Sequence, residues 1–213
     1  MTDSYAASDP NTETGWRGSQ EIWLEAAYQL LLESGVDSVK ILTLAKQLKL
    51  SRTSFYWFFK DRDALLEALL TLWQEKNTAA LLRQAASYAQ SLAEATLNIF
   101  DCWLDNAIFD NSFEHAVRSW GVQSPQVSKA LEEADRIRLE AIKAMFVHHG
   151  CEPLVADVRS RALYLTQIGY ISMNTQEDVG IRMQRVPAYV AIFSGTLPNA
   201  AELARFHQRH SYK

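Results

Sequence analysis

The stretch SRTSFYWFFK, residues 51–60, carries an uninterrupted aromatic run at positions 55–59. Such a run suits a buried strand, but Ser51 has the chemistry of a helix N-cap. The phenylalanines at i+4, i+7 and i+8 from that serine fall on one face of a helix. The cap and this period together predict a short helix whose phenylalanines face a core and whose other side chains face outward.

Amphipathic helices are predicted on both sides of this stretch. Residues 19–34 have apolar pairs every four residues, with Ser19 as a plausible N-cap and Gly35 at the end. A second short helix is expected to begin near residues 37–38, and Asp61 is expected to cap a fourth helix. Helices joined by a tight turn at 47–50 predict a helix-turn-helix unit over residues 16–62, with residues 63–78 as a connector helix.

The rest of the chain has a helical pattern almost to its end. The scarcity of Gly (8) and Pro (5) in 213 residues also favours long helices. Residues 1–15 are polar, lack the apolar core of a signal peptide and are predicted to be a disordered tail. The remaining helices are predicted near 79–90, 92–105, 110–119, 125–148, 153–174, 178–194 and 199–210.

Composition excludes several classes of protein. No apolar run approaches the roughly 20 residues that a membrane span requires. The two cysteines, Cys102 and Cys151, are too few and too far apart for a disulfide framework or a zinc ribbon. We find no Gly-rich phosphate loop, nucleophile elbow or HExxH motif, so the sequence does not indicate an enzyme. A cytoplasmic protein without a membrane partner is expected.

Charge is distributed unevenly along the chain. The net charge is -4, yet residues 38–60 contain five basic residues and no acidic one. The rest of the chain therefore carries 16 basic and 25 acidic residues. A basic segment in an acidic protein indicates a surface for a polyanion, although a solvated basic face is the alternative.

Residues 24–70, LEAAYQLLLESGVDSVKILTLAKQLKLSRTSFYWFFKDRDALLEALL, resemble the TetR family of transcriptional regulators. Tyr56, Phe59 and Lys60 stand at that family's aromatic-aromatic-Lys signature, and Asp61 stands at its capping position. One departure is Lys49, which occupies the turn position where the family usually has Gly. A non-Gly residue is therefore expected to adopt a positive φ there.

The resemblance implies an all-α fold, in which a three-helix helix-turn-helix DNA-binding domain precedes a larger helical domain for ligand binding and dimerisation, residues 79–213. It implies a dimeric repressor that binds a palindromic operator in double-stranded DNA and is released by an unidentified small-molecule effector. In a helix-turn-helix, the start of the second helix lies nearest the base edges. The predicted DNA-binding residues are Lys40, Thr43, Ser51, Arg52, Thr53, Ser54, Tyr56, Trp57 and Lys60.

The larger domain contains aromatic and polar residues that could surround an effector, although a core needs the same residue types. The predicted pocket residues are Trp103, Phe109, Phe113, His115, Trp120, Tyr164, Gln167 and Tyr170. Asn106, Arg118 and Asn174 are further candidate polar groups. The motifs HHGCE, residues 148–152, and HQRH, residues 207–210, contain metal-ligand residue types, but adjacent histidines at a helix end point apart, so we predict no metal site or cofactor.

Two helices show stripes that suit helix–helix packing. A heptad-like seam runs along residues 125–148, and small residues form a second stripe along 153–174. These helices could pack on each other inside one subunit or form half of a four-helix bundle between two subunits. The predicted dimer-interface residues are Val127, Ala134, Ile137, Ala141, Ala162, Leu165, Gly169 and Ser172. The rival hypothesis is a helical ligand carrier without a DNA function.

Overall fold

The structure is a computed structural model that describes residues 18–212, and these residues form helices and no strand. The predicted disordered tail, residues 1–15, lies outside the described residues. A 3₁₀ turn, Val36–Ser38, and a π-helical segment, Gln74–Thr78, interrupt the α-helices. The α-helices are α1 Gln20–Ser34, α2 Ile41–Leu48, α3 Arg52–Phe55, α4 Arg62–Trp73, α5 Ala79–Ala85, α6 Leu92–Leu104, α7 Asn111–Gly121, α8 Pro125–His148, α9 Pro153–Ser172, α10 Val179–Ser194 and α11 Ala200–Arg209.

The all-α fold class is confirmed, and most predicted helix ends agree with the structure within two residues. The carboxyl end of α5 differs, since the helix stops at Ala85 rather than near residue 90. The second helix also differs, because it begins at Ile41 and not near residues 37–38. Arg62 donates from Nε to the carbonyl of Val39 at 2.6 Å and from Nη2 to that of Val36 at 2.7 Å. These carbonyls are therefore engaged by a side chain, and a separate 3₁₀ turn precedes α2.

The first hydrophobic core is shared by the helix-turn-helix unit and part of the larger domain. Trp23 from α1, Phe55 from α3 and Trp73 from α4 are fully buried in it. Phe113 and Val117 from α7 belong to the same cluster, as do apolar residues of the first half of α8. The helix-turn-helix unit is therefore packed directly on α7 and α8.

A second core fills the other end of the molecule. It contains apolar side chains of α5, α6, the second half of α8, α9, α10 and α11, with Phe100, Phe146 and Phe206 among its fully or almost fully buried members. Tyr189 and Phe193 of α10 stack with their ring centroids 6.0 Å apart and their planes 7° apart. This core holds the carboxyl-terminal helices around α6.

A buried ion pair joins α7 to α8 where the two cores meet. Glu114 and Arg138 have fully buried side chains, and Arg138 Nη1 donates to Glu114 Oε1 at 2.8 Å. Arg118 Nε donates to the same oxygen at 3.0 Å. The second carboxylate oxygen accepts from Trp73 Nε1 at 2.7 Å and from Asn77 Nδ2 at 3.1 Å. Because every partner is close, this buried charge is compensated.

A second polar cluster connects α1 to the start of α7 through Asp110. Tyr28 of α1 donates its hydroxyl to Asp110, and Lys76 Nζ lies 3.0 Å from the same carboxylate. Asn77 accepts from the Asp110 amide at 2.9 Å through its side-chain oxygen. Burial alone raises the pKa of the Asp110 carboxyl, but these hydrogen bonds and the Lys76 charge outweigh it, so the pKa lies below its ordinary value.

Candidate nucleic-acid interface

The turn between α2 and α3 is set by two local conformations. Lys49 adopts a left-handed conformation with φ 55° and ψ 37°, as predicted, and its N–H reaches back to α2 carbonyls. Ser51 then caps α3, since its Oγ accepts from the amide of Ser54 at 3.2 Å. The cap prediction is therefore confirmed, and α3 leaves the turn in a defined direction.

The inner side of residues 51–60 is anchored by aromatic contacts. Phe55 is fully buried and meets the ring of Trp23 edge-on, with centroids 5.3 Å apart. Phe59, which is 5% exposed, stacks on Phe55 at 5.5 Å. Phe58 is half-buried against the same core. The aromatic run is therefore divided as its helical period predicts, although the α-helix itself ends at Phe55 and turns follow.

The outer side presents polar, basic and aromatic side chains to solvent. Tyr56 is 59% exposed and Trp57 is 64% exposed. These exposures are unusual for large aromatic side chains, which proteins usually bury. Eight of the nine predicted DNA-binding residues are exposed, namely Lys40, Thr43, Ser51, Arg52, Thr53, Tyr56, Trp57 and Lys60. Their contacts with DNA stay a prediction.

Ser54 is an exception to the predicted DNA-reading surface. Only 8% of Ser54 is exposed, and its Oγ lies 2.9 Å from that of Ser51. The capping interaction turns this serine toward the protein, because its backbone N–H and its hydroxyl both face the cap. We therefore correct the prediction for Ser54 and assign it to the support of α3.

Sequence reasoning missed Arg62, which lies at the start of the connector helix α4. Its guanidinium holds the carbonyls that precede α2, so it fixes the position of α2 relative to α4. A basic residue directly after the recognition segment resembles another phosphate contact in sequence. Only the structure shows that its donors are directed inward to main-chain carbonyls.

The basic residues of the segment 38–60 are all accessible to solvent. All five, Lys40, Lys46, Lys49, Arg52 and Lys60, are exposed, and the segment contains no acidic residue. None of the five forms an ion pair within residues 18–212. A group of unpaired cations around exposed aromatic side chains is suited to a nucleic-acid backbone.

The structure divides the predicted pocket residues into two groups. A cleft of about 650 Å³ lies between the α1 end and α7, α9 and α10, and His115, Trp120 and Tyr170 line it. Asn106 and Asn174, two of the further polar candidates, line it as well. The other predicted residues do not line this cleft, because they pack in the interior where aromatic side chains fill the cores and Gln167 bonds to Arg182. These residues are Trp103, Phe109, Phe113, Tyr164 and Gln167.

The predicted dimer residues are divided in a similar way. Val127 and Ala134 of α8 are buried within the subunit, and Ile137 and Ala141 are half-buried. We therefore correct the prediction for Val127 and Ala134, whose heptad-like seam packs on the helix-turn-helix core of the same chain. The α9 stripe remains accessible, since Gly169 is half-buried and the other three are exposed, namely Ala162, Leu165 and Ser172.

The histidine-containing motifs at residues 148–152 and 207–210 do not form a metal-ligand cluster within the described residues. Within residues 18–212, no group of three or more His, Cys, Asp or Glu side chains could hold a metal ion. The rings of His148 and His149 lie edge to face with their planes 88° apart. None of the helices in the described part of the chain is long and apolar enough to cross a membrane.

Comparisons with known proteins agree with this geometry. Residues 24–69 match the model of the family described as bacterial regulatory proteins, tetR family. Over 76 residues, the chain is 33% identical to the class G tetracycline repressor of Vibrio anguillarum, which covers 35% of this chain and 36% of that protein. The sequence match therefore spans only about a third of that relative's length.

Similarity to solved structures covers almost the whole chain. AmtR of Mycobacterium smegmatis superposes with a TM-score of 0.60 at 14% identity, covering 96% of this chain and 99% of that one. GusR of Salmonella enterica gives a TM-score of 0.57 at 17% identity, covering 95% and 97% of the two chains. At such low identity these likenesses show the fold alone. Residues 24–69 therefore match the tetR family of bacterial regulatory proteins by sequence, and over the described residues the fold is similar to that of solved structures such as AmtR and GusR.

Proposed function

We propose that the chain is a sequence-specific DNA-binding transcriptional regulator. It would act as a homodimeric repressor on a palindromic operator and be released by a small-molecule effector. The observation that carries the proposal is the exposed basic and aromatic face of α2 and α3, which is held in place by a phenylalanine buried beneath it. The match of residues 24–69 to a family of regulatory proteins favours this function over a ligand carrier or an enzyme.

Residues on this face are assigned to base reading or to backbone contacts by position. Arg52 is the first residue of α3, where a helix-turn-helix approaches base edges, and a bidentate contact with guanine contributes about 1–3 kcal/mol to discrimination. Lys40 at the start of α2 and Lys60 after α3 are placed to meet phosphates. Tyr56 lies one turn beyond Arg52, where its hydroxyl can reach the backbone.

Binding to a palindromic duplex from the upstream region of the gene tests these roles by fluorescence anisotropy. We expect Arg52→Ala to weaken binding and to relax the preference for the palindrome over a scrambled duplex. Lys60→Ala should weaken binding to both duplexes alike and reduce the slope of log affinity against log salt concentration by about one. The control is Arg136→Ala, an exposed arginine of α8 outside this face. Wild-type binding by both Arg52→Ala and Lys60→Ala would refute the assigned surface.

The dimer would form through α9 and α10. Leu154, Val158 and Leu165 of α9 are 76%, 57% and 54% exposed and follow one helical stripe. On the adjacent α10, Ile192 is 71% exposed. An exposed apolar stripe on α9 beside an exposed isoleucine on α10 suits a four-helix bundle with a second copy, in which each subunit contributes the same pair.

Sedimentation velocity tests this interface through a charge placed at its centre. Leu165→Glu should convert a dimer into a monomer, because two buried carboxylates would face each other across a two-fold axis. Val122→Glu is the control, since Val122 is 85% exposed at the end of α7 and lies outside both stripes. A Leu165→Glu protein that still sediments as a dimer would exclude α9 as the interface.

A further inference from the structure

The cleft between the helix-turn-helix unit and the larger domain has the properties of a ligand site. Its volume of about 650 Å³ lies within the usual range for small-molecule sites. The carboxyl end of α1 and the following turn form one wall, which includes Leu31, Gly35 and Asp37. Side chains of α7, the end of α9 and the start of α10 form the other wall. A molecule held here would therefore contact both halves of the protein.

One side chain of the cleft, Arg182 of α10, is a half-buried cation. Its Nη2 donates to Gln167 Oε1 at 3.0 Å, and its guanidinium carbon lies 5.6 Å from the centroid of the Tyr170 ring. It forms no ion pair within residues 18–212, whereas the neighbouring Arg185 pairs with Glu177. Burial lowers the pKa of the Arg182 guanidinium. The nearby Glu177 carboxylate offsets only part of the cost of burying this cation, because it pairs with Arg185, so an anion at this position would be stabilised.

Unpaired hydrogen-bond acceptors lie in the same lining. Asn111 Oδ1 and Glu177 Oε2 are buried atoms that accept no hydrogen bond from the described residues. The Asn111 amide nitrogen is already engaged, because it donates to the carbonyl of Trp103 at 3.2 Å. Buried acceptors are usually satisfied in native proteins, so a bound molecule with donors would complete them.

We propose that this cleft binds a small carboxylate that also carries a hydroxyl or amino group. The carboxylate would pair with Arg182, and the donor group would reach Asn111 and Glu177. The assignment of this molecule as the effector rests on the proposed regulatory function. Because one wall belongs to the helix-turn-helix unit, occupancy favours arrangements in which α1 and α7 keep this spacing and thereby biases the position of α3.

Three four-carbon acids test the chemistry by thermal unfolding of the full chain without DNA. Butyrate supplies the carboxylate alone, 4-hydroxybutyrate adds a hydroxyl and 4-aminobutyrate adds an ammonium group. At ten times its dissociation constant, a ligand should raise Tm by about 3–6 °C. We expect at least one of the two substituted acids to exceed butyrate, and the larger shift identifies the donor. Sodium chloride at equal ionic strength controls for salt.

Substitutions in the cleft test whether the rise in Tm comes from binding there. Arg182→Gln should abolish the response and Arg182→Lys should retain part of it, whereas Arg136→Gln, an exposed arginine of α8, should respond like the wild type. Ser112→Trp provides an independent test, since Ser112 is an exposed lining residue whose enlargement blocks the cleft with little change to the core. Circular dichroism checks that each variant is folded.

Two results would overturn the proposal. One is a wild-type protein in which neither substituted acid raises Tm above butyrate, and the other is an equal shift in Arg182→Gln or Ser112→Trp. Since these measurements contain no DNA, either result leaves the proposed DNA binding untouched. Conversely, a protein that shows the shift but binds no operator would retain the ligand site and lose the regulatory function.

Discussion

The buried carboxylate of Glu114 offers the most direct test of how the two halves of the molecule are joined. Glu114→Gln keeps the size of the side chain but removes the charge opposite Arg138, and both side chains are fully buried. The new amide also places N–H donors among groups that already donate, namely Arg138, Trp73 and Asn77. Removal of one partner from a buried ion pair costs about 3–5 kcal/mol.

For a chain of this size, each kcal/mol lowers Tm by about 2–4 °C, so Glu114→Gln should lower Tm by about 6–20 °C. Circular dichroism at increasing temperature and urea unfolding should give the same ranking. Glu133→Gln is the matched control, because it removes the charge from an exposed pair with Arg136 and should leave Tm close to the wild-type value. A Glu114→Gln protein with the same Tm as the Glu133→Gln control would refute the claim that this ion pair stabilises the fold.

Three further outcomes are expected. Phe55→Ala should lower the free energy of unfolding by about 3–5 kcal/mol in urea titrations, whereas truncation of the exposed Tyr56 should leave it nearly unchanged. Stability should fall in acid, because the pKa values of Asp110 and Glu114 lie below their ordinary values of 3.8 and 4.5. Burial alone raises both pKa values. For Asp110, the hydrogen bonds from Tyr28 and the Phe113 amide and the charge of Lys76 outweigh burial, and for Glu114 the charges of Arg138 and Arg118 do so. Their contribution is present at neutral pH and is lost as pH falls below about 4.5 through the folded-state values, so urea midpoints at pH 7 should exceed those at pH 3.5, and equal midpoints would contradict the assignment. Burial raises the pKa of the Cys102 thiol to about 12, so a thiol reagent should label the folded Cys151→Ala protein only after denaturant is added.

Local chemistry explains why most helices could be predicted from the sequence. Ser19, Asp61 and Asn199 each cap a helix through a side-chain oxygen, and such caps act within a few residues. The same locality applies to Lys49, whose left-handed conformation follows from its place in a tight turn. Helix ends set by distant groups were harder to predict, as the late start of α2 beneath Arg62 shows.

The candidate DNA-binding residues could be predicted better than the ligand and dimer residues, because only the former depend on local spacing. The exposed side of residues 51–60 follows from helical period, because the inner phenylalanines leave few choices for the rest. The ligand and dimer residues depend on which helix packs against which stripe. A heptad-like seam such as that of Val127 and Ala134 looks alike whether its partner is another subunit or α4 and α7 of the same chain. Periodicity reports that a face is covered and does not report by what.

The helices, their caps, the basic segment and the division of SRTSFYWFFK into buried and exposed sides depend on short-range spacing and local hydrogen bonds, so they can be predicted from the sequence. Tertiary packing is needed to show that Ser54 turns inward, that Arg62 binds carbonyls of the segment before α2, and that Arg182 lines a cleft and forms no ion pair within residues 18–212. These features join residues distant in sequence, or depend on how a whole side chain is packed. Their energies come from burial and from unpaired charge, which no local pattern encodes.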